Sequence, residues 1–408
     1  MPVLARRRLC HRRADPGGRR HRRVRLTDVA DETIHPFTVA VADEALADLG
    51  RRLGHIRWPT PQTVSDWSQG VPIAAMRGLV DYWRDGYDWR ACEARLNAIP
   101  QYRTTIDGLG IHFLHVRSPD PAALPLILTH GWPGSVLEFL KAIGPLTDPA
   151  AYGASGQQAF HVVAPSLPGY GFSDKPGESG WGVERIAAAW ITLMRRLGYG
   201  RFVAQGGDWG AAVTTAIAMA RPPECAAIHL NMPLVFPEAG DFANLTPAEQ
   251  ATVAAMTFYQ EKDSGYAKLQ GTRPQTVGYA LADSPVGQAA WIYEKFHAWT
   301  DNDGPPESAL TRDEMLDAIT LYWLTNSAAS SGRLYWESAE AFKAQRLELP
   351  VGVSIFPREI FRPSRRWAER SYPKLMYWNE PTKGGHFAAF EQPALFADEL
   401  RACFGQLA

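Results

Sequence analysis

Asp208, Glu359 and His386 are the three residues whose types and spacing could together perform nucleophilic catalysis. Asp208 stands in Gln205-Gly206-Gly207-Asp208-Trp209-Gly210, after the apolar run Phe202-Val203-Ala204 and before a helix-like run from Ala211 to Ala220. A strand, a sharp turn of small residues around one polar residue, then a helix is the form of a nucleophile elbow. Such a turn excludes large side chains beside its central residue and pushes that residue out at the carboxyl end of the strand. Serine usually stands there and attacks acyl carbons. A carboxylate is a poor acyl attacker, but it can displace a leaving group from an alkyl carbon and become an ester. The elbow therefore points to alkyl electrophiles, such as epoxides or alkyl halides. A competing reading makes Asp208 only the N-cap of the following helix, since Asp is favoured there.

A triad on this frame runs nucleophile, acid, histidine along the chain. Glu359 and His386 follow in that order, each after an apolar strand run, Val351 to Phe356 and Leu375 to Trp378. All three are expected to converge at one edge of a sheet. The other usual place for the acid, after Ile228-His229-Leu230, holds Asn231 instead. Two glycines precede His386, whereas Glu380 and Glu391 read as surface charges. The loop Gly131-Trp132-Pro133-Gly134 can present the Trp132 backbone N–H toward the nucleophile, and the Trp209 N–H follows Asp208 directly. Two such donors would form an oxyanion hole. His130 is expected to hold that loop through hydrogen bonds. Chemistry of this kind needs neither a metal nor an organic cofactor.

Strand–turn–helix units position these residues. Leu126 to Thr129, Val162 to Ala164, Phe202 to Gln205 and Ala226 to Met232 are apolar runs, with a helical pattern from Trp181 to Leu197 between two of them. Such alternation predicts an α/β fold, a mostly parallel sheet with helices on both faces. The pattern stops near Pro233 and resumes at Val351. The stretch between is too long for a bare loop, is mostly helical and is rich in aromatics. Ligand sites in such sheets lie beyond the carboxyl ends of the strands, so this insertion would cap the elbow. Before the sheet, Val41–Leu53, Ile73–Trp83 and Trp89–Leu96 read as helices, and Gln101–Ile106 and Ile111–Val116 as a hairpin around Asp107-Gly108-Leu109-Gly110. Trp58, Trp67, Trp83 and Trp89 read as packing and docking anchors. The expected segments are a tail (1–33), an N-terminal wrapping region (34–119), the core (120–233 and 350–408) and a helical cap (234–349).

Composition narrows the function classes. The 408 residues are 46% hydrophobic and carry a net charge of −1. Residues 1–25 hold ten Arg against Asp15 alone, a charge of +9, so the remainder sums to −10. An acidic body argues against a general nucleic-acid binder. The Arg-rich tail lacks an apolar period and reads as disordered. Cys10, Cys92, Cys225 and Cys403 lie far apart, without a zinc or redox pair, which fits a reduced cytoplasmic setting. No apolar run reaches the length of a membrane span.

Three stretches resemble the signatures of epoxide hydrolases of the α/β-hydrolase superfamily, in their microsomal and juvenile-hormone branch. They are His130-Gly131-Trp132-Pro133-Gly134-Ser135, Gly206-Gly207-Asp208-Trp209-Gly210 and Gly384-Gly385-His386-Phe387-Ala388-Ala389. Arg57-Trp58-Pro59 and Gln101-Tyr102 look like that branch's N-terminal region. The resemblance implies an α/β-hydrolase core and a Glu acid in a Phe-Pro-x-Glu setting, matched by Phe356-Pro357-Arg358-Glu359. It also implies two cap tyrosines that donate to the epoxide oxygen, and Tyr266 and Tyr335 look like those positions. The residues alone do not separate them from Tyr259 and Tyr322. Microsomal members carry an N-terminal membrane anchor; the Arg-rich tail stands there instead, so a soluble bacterial type is expected. The implied partners are an apolar epoxide and water, with a homodimer also possible. Two other readings stand beside this one: a haloalkane dehalogenase, and a non-catalytic hydrolase-fold binding protein.

Overall fold

A computed structural model describes residues 32–407. The expectations for the Arg-rich tail and for Cys10 therefore lie outside the described residues, save Glu32 and Thr33. From Glu32 onward the chain is one compact unit.

The sheet has nine strands: β1 (His35–Pro36), β2 (Gln101–Ile106), β3 (Leu109–Val116), β4 (Leu124–Thr129), β5 (Phe160–Pro165), β6 (Phe202–Gly206), β7 (Cys225–Leu230), β8 (Val351–Ser354) and β9 (Leu375–Asn379). Their order is β1-β2-β3-β5-β4-β6-β7-β8-β9. The β1-β2, β2-β3 and β3-β5 pairs are antiparallel. From β5 to β9 every pair is parallel. The β2–β3 hairpin turns on Asp107 and Gly108, both at positive φ. That is the two-residue turn whose twist matches paired strands.

Successive residues of the central strands serve two separate cores. In β4, Ile127 faces one core while Leu126 and Leu128 face the other. In β6, Phe202 and Ala204 oppose Val203 in the same way. The helices Val183–Arg196 and Trp209–Ala220 cover one face, and Leu140–Thr147 and Pro393–Phe404 cover the other. This double cover is why these strands are apolar at every position rather than at alternate ones.

Between β7 and β8 the chain is helical. Pro247–Phe258, Gly265–Thr272, Pro274–Asp283, Pro285–Trp299, Arg312–Leu324 and Ala328–Glu337 are its main helices. Thr246 and Thr311 each begin one with a reciprocal capping box, closed by Glu249 and Glu314. Both satisfy N–H groups that a helix start leaves open. The residues before β2 grip this insertion. Trp67 stacks on His297 with ring centroids 3.8 Å apart. The hydroxyls of Tyr82 and Tyr87 donate to Asp313 and Asp317, and Arg95 pairs with Asp317. Trp83 and Trp89 are buried, while Trp58 and Trp67 pack partly buried against the core. Among the described residues no helix is long and apolar enough to cross a membrane, and Cys92, Cys225 and Cys403 are buried free thiols.

Candidate active site

Asp208 follows the end of β6 and precedes the helix Trp209–Ala220, with φ 50° and ψ −128°. A non-glycine residue held there is strained, and such strain gathers at functional sites. The side chain does not cap the helix. It turns the other way: Oδ1 accepts a hydrogen bond of 2.7 Å from the Trp132 N–H. The capping alternative thus fails. The need for glycine also sits elsewhere than expected. A Cβ on Gly207, the immediate neighbour, would meet only ordinary van der Waals contact. A Cβ on Gly206 would overlap the Gly210 carbonyl, and one on Gly210 the Thr129 carbonyl. The crowded positions are two residues away on each side, where the returning helix crosses its own strand and β4.

Glu359 and His386 come from the loops after β8 and β9, which keep pairing beyond the strands through a parallel bridge between Arg358 and Gly385. Glu359 Oε1 lies 2.6 Å from His386 Nδ1. The other ring nitrogen, Nε2, lies 3.4 Å from Asp208 Oδ2. The imidazole thus bridges the two carboxylates. Burial alone would lower the His386 pKa, but the charges of Glu359 and Asp208 outweigh it and hold it well above the ordinary value. The loop is tied from behind. The His386 N–H donates to the Trp299 carbonyl at 2.9 Å. Glu391, expected at the surface, is buried instead and accepts from the N–H groups of Gly385, Phe387 and Asp301. Burial raises its pKa to about 7. Nothing in its local sequence signals this, because the three donors come from loop backbone. Glu380 is exposed as expected.

The loop after β4 carries the Trp132 N–H. His130 is buried with Nδ1 3.0 Å from the Gly131 carbonyl, and its Nε2 accepts from the Leu167 N–H at 3.1 Å. Burial lowers its pKa to about 4, so it is neutral and serves as a clamp between two loops. The Trp209 N–H opens its helix and so has no carbonyl one turn back. Among the described residues no hydrogen bond joins it to the Asp208 carboxylate; of the two expected donors only Trp132 reaches it in this state.

Two cavities flank the nucleophile. The larger, about 430 Å³, is lined by Asp208, Trp209, Tyr259, Tyr266 and Tyr335 together with apolar residues such as Leu234 and Phe361. Tyr322 is removed from the candidates, because its hydroxyl is buried and donates to the Gly134 carbonyl at 2.8 Å. Tyr266 stacks on Trp132 at 4.8 Å, and Tyr335 meets Trp209 edge-on at 4.7 Å. Burial pushes both phenols well above their ordinary pKa, so both keep their hydrogen at any working pH. The smaller cavity, about 30 Å³, lies among Gln205, Asp208, Asn231, His386 and Glu138. It has room for one water and the polar partners to hold it. Glu138 was not anticipated here. Its sequence signal is the capping box of Ser135-Val136-Leu137-Glu138, in which Oε1 accepts from the Ser135 N–H at 3.1 Å. Burial raises its pKa to about 8.

Comparison with known proteins decides the family. Residues 34–139 match the model for the epoxide hydrolase N terminus, and residues 125–276 that for the alpha/beta hydrolase fold. A Stigmatella aurantiaca protein provisionally named an epoxide hydrolase is 65% identical over 375 residues, 92% of this chain and 85% of that one. Epoxide hydrolase 1 of Sus scrofa is 38% identical, with 92% of this chain and 90% of that protein covered. This chain belongs to the epoxide hydrolases. Like other epoxide hydrolases, it has solved structural neighbours. The juvenile hormone epoxide hydrolase of the silkworm Bombyx mori superposes with TM-score 0.85 at 32% identity, covering 93% of this chain and 96% of that one. The Aspergillus niger epoxide hydrolase does so with TM-score 0.83 at 32% identity, covering 93% and 98%. An enzyme that hydrolyses epoxides thus has a carboxylate at its elbow, and neither the dehalogenase nor the non-catalytic alternative is favoured.

Proposed function

We propose that this epoxide hydrolase converts an apolar epoxide to a vicinal diol through an ester on Asp208. The observation that carries the reading is the His386 ring, held 2.6 Å from Glu359 and 3.4 Å from Asp208. A substrate in the larger cavity meets Asp208 on one side and the hydroxyls of Tyr266 and Tyr335 on the other. Asp208 attacks a ring carbon, the carbon–oxygen bond breaks, and a phenol supplies the hydrogen that the departing alkoxide needs. Esterification removes the Asp208 charge, and with it one of the two charges that keep His386 protonated. The imidazole can then lose its proton and act as a base. It takes a proton from water in the small cavity, the water attacks the Asp208 carbonyl carbon, and Glu359 stabilises the imidazolium that forms. The oxyanion at that carbon then accepts from the N–H groups of Trp132 and Trp209. The diol leaves, and the carboxylate is restored with one oxygen from water.

The test follows that oxygen. Enzyme in excess over styrene oxide is taken through one turnover in ¹⁸O-water and then digested. The expected result is ¹⁸O in the peptide containing Asp208 and none in the first diol formed. Diol that carries the label while the peptide does not would overturn the ester.

A further inference from the structure

The two phenols that face the nucleophile are not equivalent. The Tyr335 hydroxyl has no hydrogen-bond partner among the described residues. The Tyr266 hydroxyl lies 3.0 Å from the hydroxyl of Tyr259. Tyr259 also lines the larger cavity, but it is only half-buried, whereas Tyr266 is 6% exposed. Tyr259 opens a π-helical turn, Tyr259–Asp263, inserted between the helices Pro247–Phe258 and Gly265–Thr272. Single π turns of this kind occur often at functional sites. The same turn delivers Asp263, whose Oδ1 pairs with Lys295 at 2.6 Å and whose Oδ2 accepts from the Trp299 indole at 2.8 Å. Lys295 is 1% exposed, and its Nζ lies 4.5 Å from the centroid of the Tyr266 ring.

We propose that Tyr259 is a positioning residue and proton relay for Tyr266, and that this makes Tyr266 the stronger acid of the pair. A phenol has one hydrogen. When that of Tyr266 points at an epoxide oxygen, the 3.0 Å contact can only be one in which Tyr259 donates to the Tyr266 oxygen. Such donation stabilises the negative charge that gathers on that oxygen as its hydrogen moves to the alkoxide, and linked hydrogen bonds of this kind polarise one another. The Lys295 ammonium over the ring acts in the same direction. The proton account also closes. Tyr266 loses a proton to the alkoxide, Tyr259 returns one to Tyr266, and Tyr259, open to the cavity, takes one from water. The proton that His386 takes from the hydrolytic water goes back to solvent. Tyr335, unlinked, orients the epoxide oxygen and has no onward route.

This inference rests on the donor role of Tyr266 proposed above, so the experiment separates the two. Ester formation and ester hydrolysis are timed separately, by rapid quench and intact mass, in Y259F, Y266F, Y335F and the doubles Y259F/Y266F and Y259F/Y335F. Y259F is expected to slow ester formation roughly 10-fold, the scale of one hydrogen bond to a charged group. Its hydrolysis of the preformed ester should be unchanged, which also reports that the protein is intact. The Y259F effect should vanish in the Y266F background and persist in the Y335F background. An ester-formation rate in Y259F within twofold of the parent, or an undiminished effect in Y266F, overturns the relay and leaves Tyr266 as donor. A Y266F enzyme that forms ester at the parent rate overturns both.

Discussion

The two sides of the cavity position their chemistry by different physics. On the sheet side, backbone does it. Asp208 is fixed by a strained φ and by carbonyls that leave no room for a Cβ at Gly206 or Gly210. Glu359 and His386 sit a few residues beyond adjacent parallel strands whose loops remain paired. On the insertion side, side chains do it. Tyr266 is held by Trp132, by Trp299 and Lys295 of one helix, and by Tyr259, which come from three different elements. Backbone steric limits admit one arrangement, whereas packed side chains can be re-sorted. The sheet side should therefore be intolerant of change, and the insertion side should respond in degrees.

The largest effect is expected on the sheet side. Asp208→Asn should abolish ester formation, a loss on the order of 10⁴-fold or more in diol production. An initial rate close to the parent's would remove Asp208 as nucleophile. His386→Gln should still form the ester but hydrolyse it about 10² to 10⁴-fold more slowly, so an adduct of enzyme plus epoxide should accumulate in the intact mass; its absence with a reactive epoxide would count against two steps. Tyr335→Phe, on the insertion side, should slow ester formation by about 10²-fold, the scale for losing one donor to a developing oxyanion, and leave hydrolysis alone. A loss as deep as that of Asp208→Asn would erase the contrast between the sides.

pH should divide the two steps as well. Ester formation needs the Asp208 carboxylate, whereas hydrolysis needs neutral imidazole. Lowering pH should thus let the ester accumulate, and Glu359→Gln, which removes a charge that raises the His386 pKa, should move that onset to lower pH. The smallest effect concerns Glu391. Its folded pKa of about 7 lies above its ordinary 4.5, so the folded state binds the proton more readily than the unfolded chain. Its contribution to stability must fall as pH rises through that window. Glu391→Gln should flatten the Tm-versus-pH curve between roughly those values, and an unchanged slope would show that its three N–H partners already stabilise the charge.

How much of this was legible beforehand follows the same division. The elbow, the strand ends and the hairpin are local patterns of glycine, polarity and apolar runs, and they stood in the sequence, although the expected turn Asp107-Gly108-Leu109-Gly110 shortens to Asp107-Gly108 because Leu109 and Gly110 pair in β3. Glu391 reads as a surface charge because its partners are backbone N–H groups, which no residue type marks, two from the adjoining loop and one from the distant Asp301. Glu138 was passed over because its capping role conceals a second one in the small cavity. Among Tyr259, Tyr266, Tyr322 and Tyr335, composition offered no choice. Only the fold showed that Tyr322 is tied to the Gly134 carbonyl while the other three face the nucleophile.

The order of residues by itself determined a parallel sheet, a carboxylate at a strained turn, and an acid and a histidine at the ends of later strands, since each of those depends on neighbours a few positions away. Tertiary structure alone decided which phenols meet the nucleophile, which of them is linked to another, and where a water can sit. Those depend on distances between elements far apart along the chain, set by packing that no local pattern encodes.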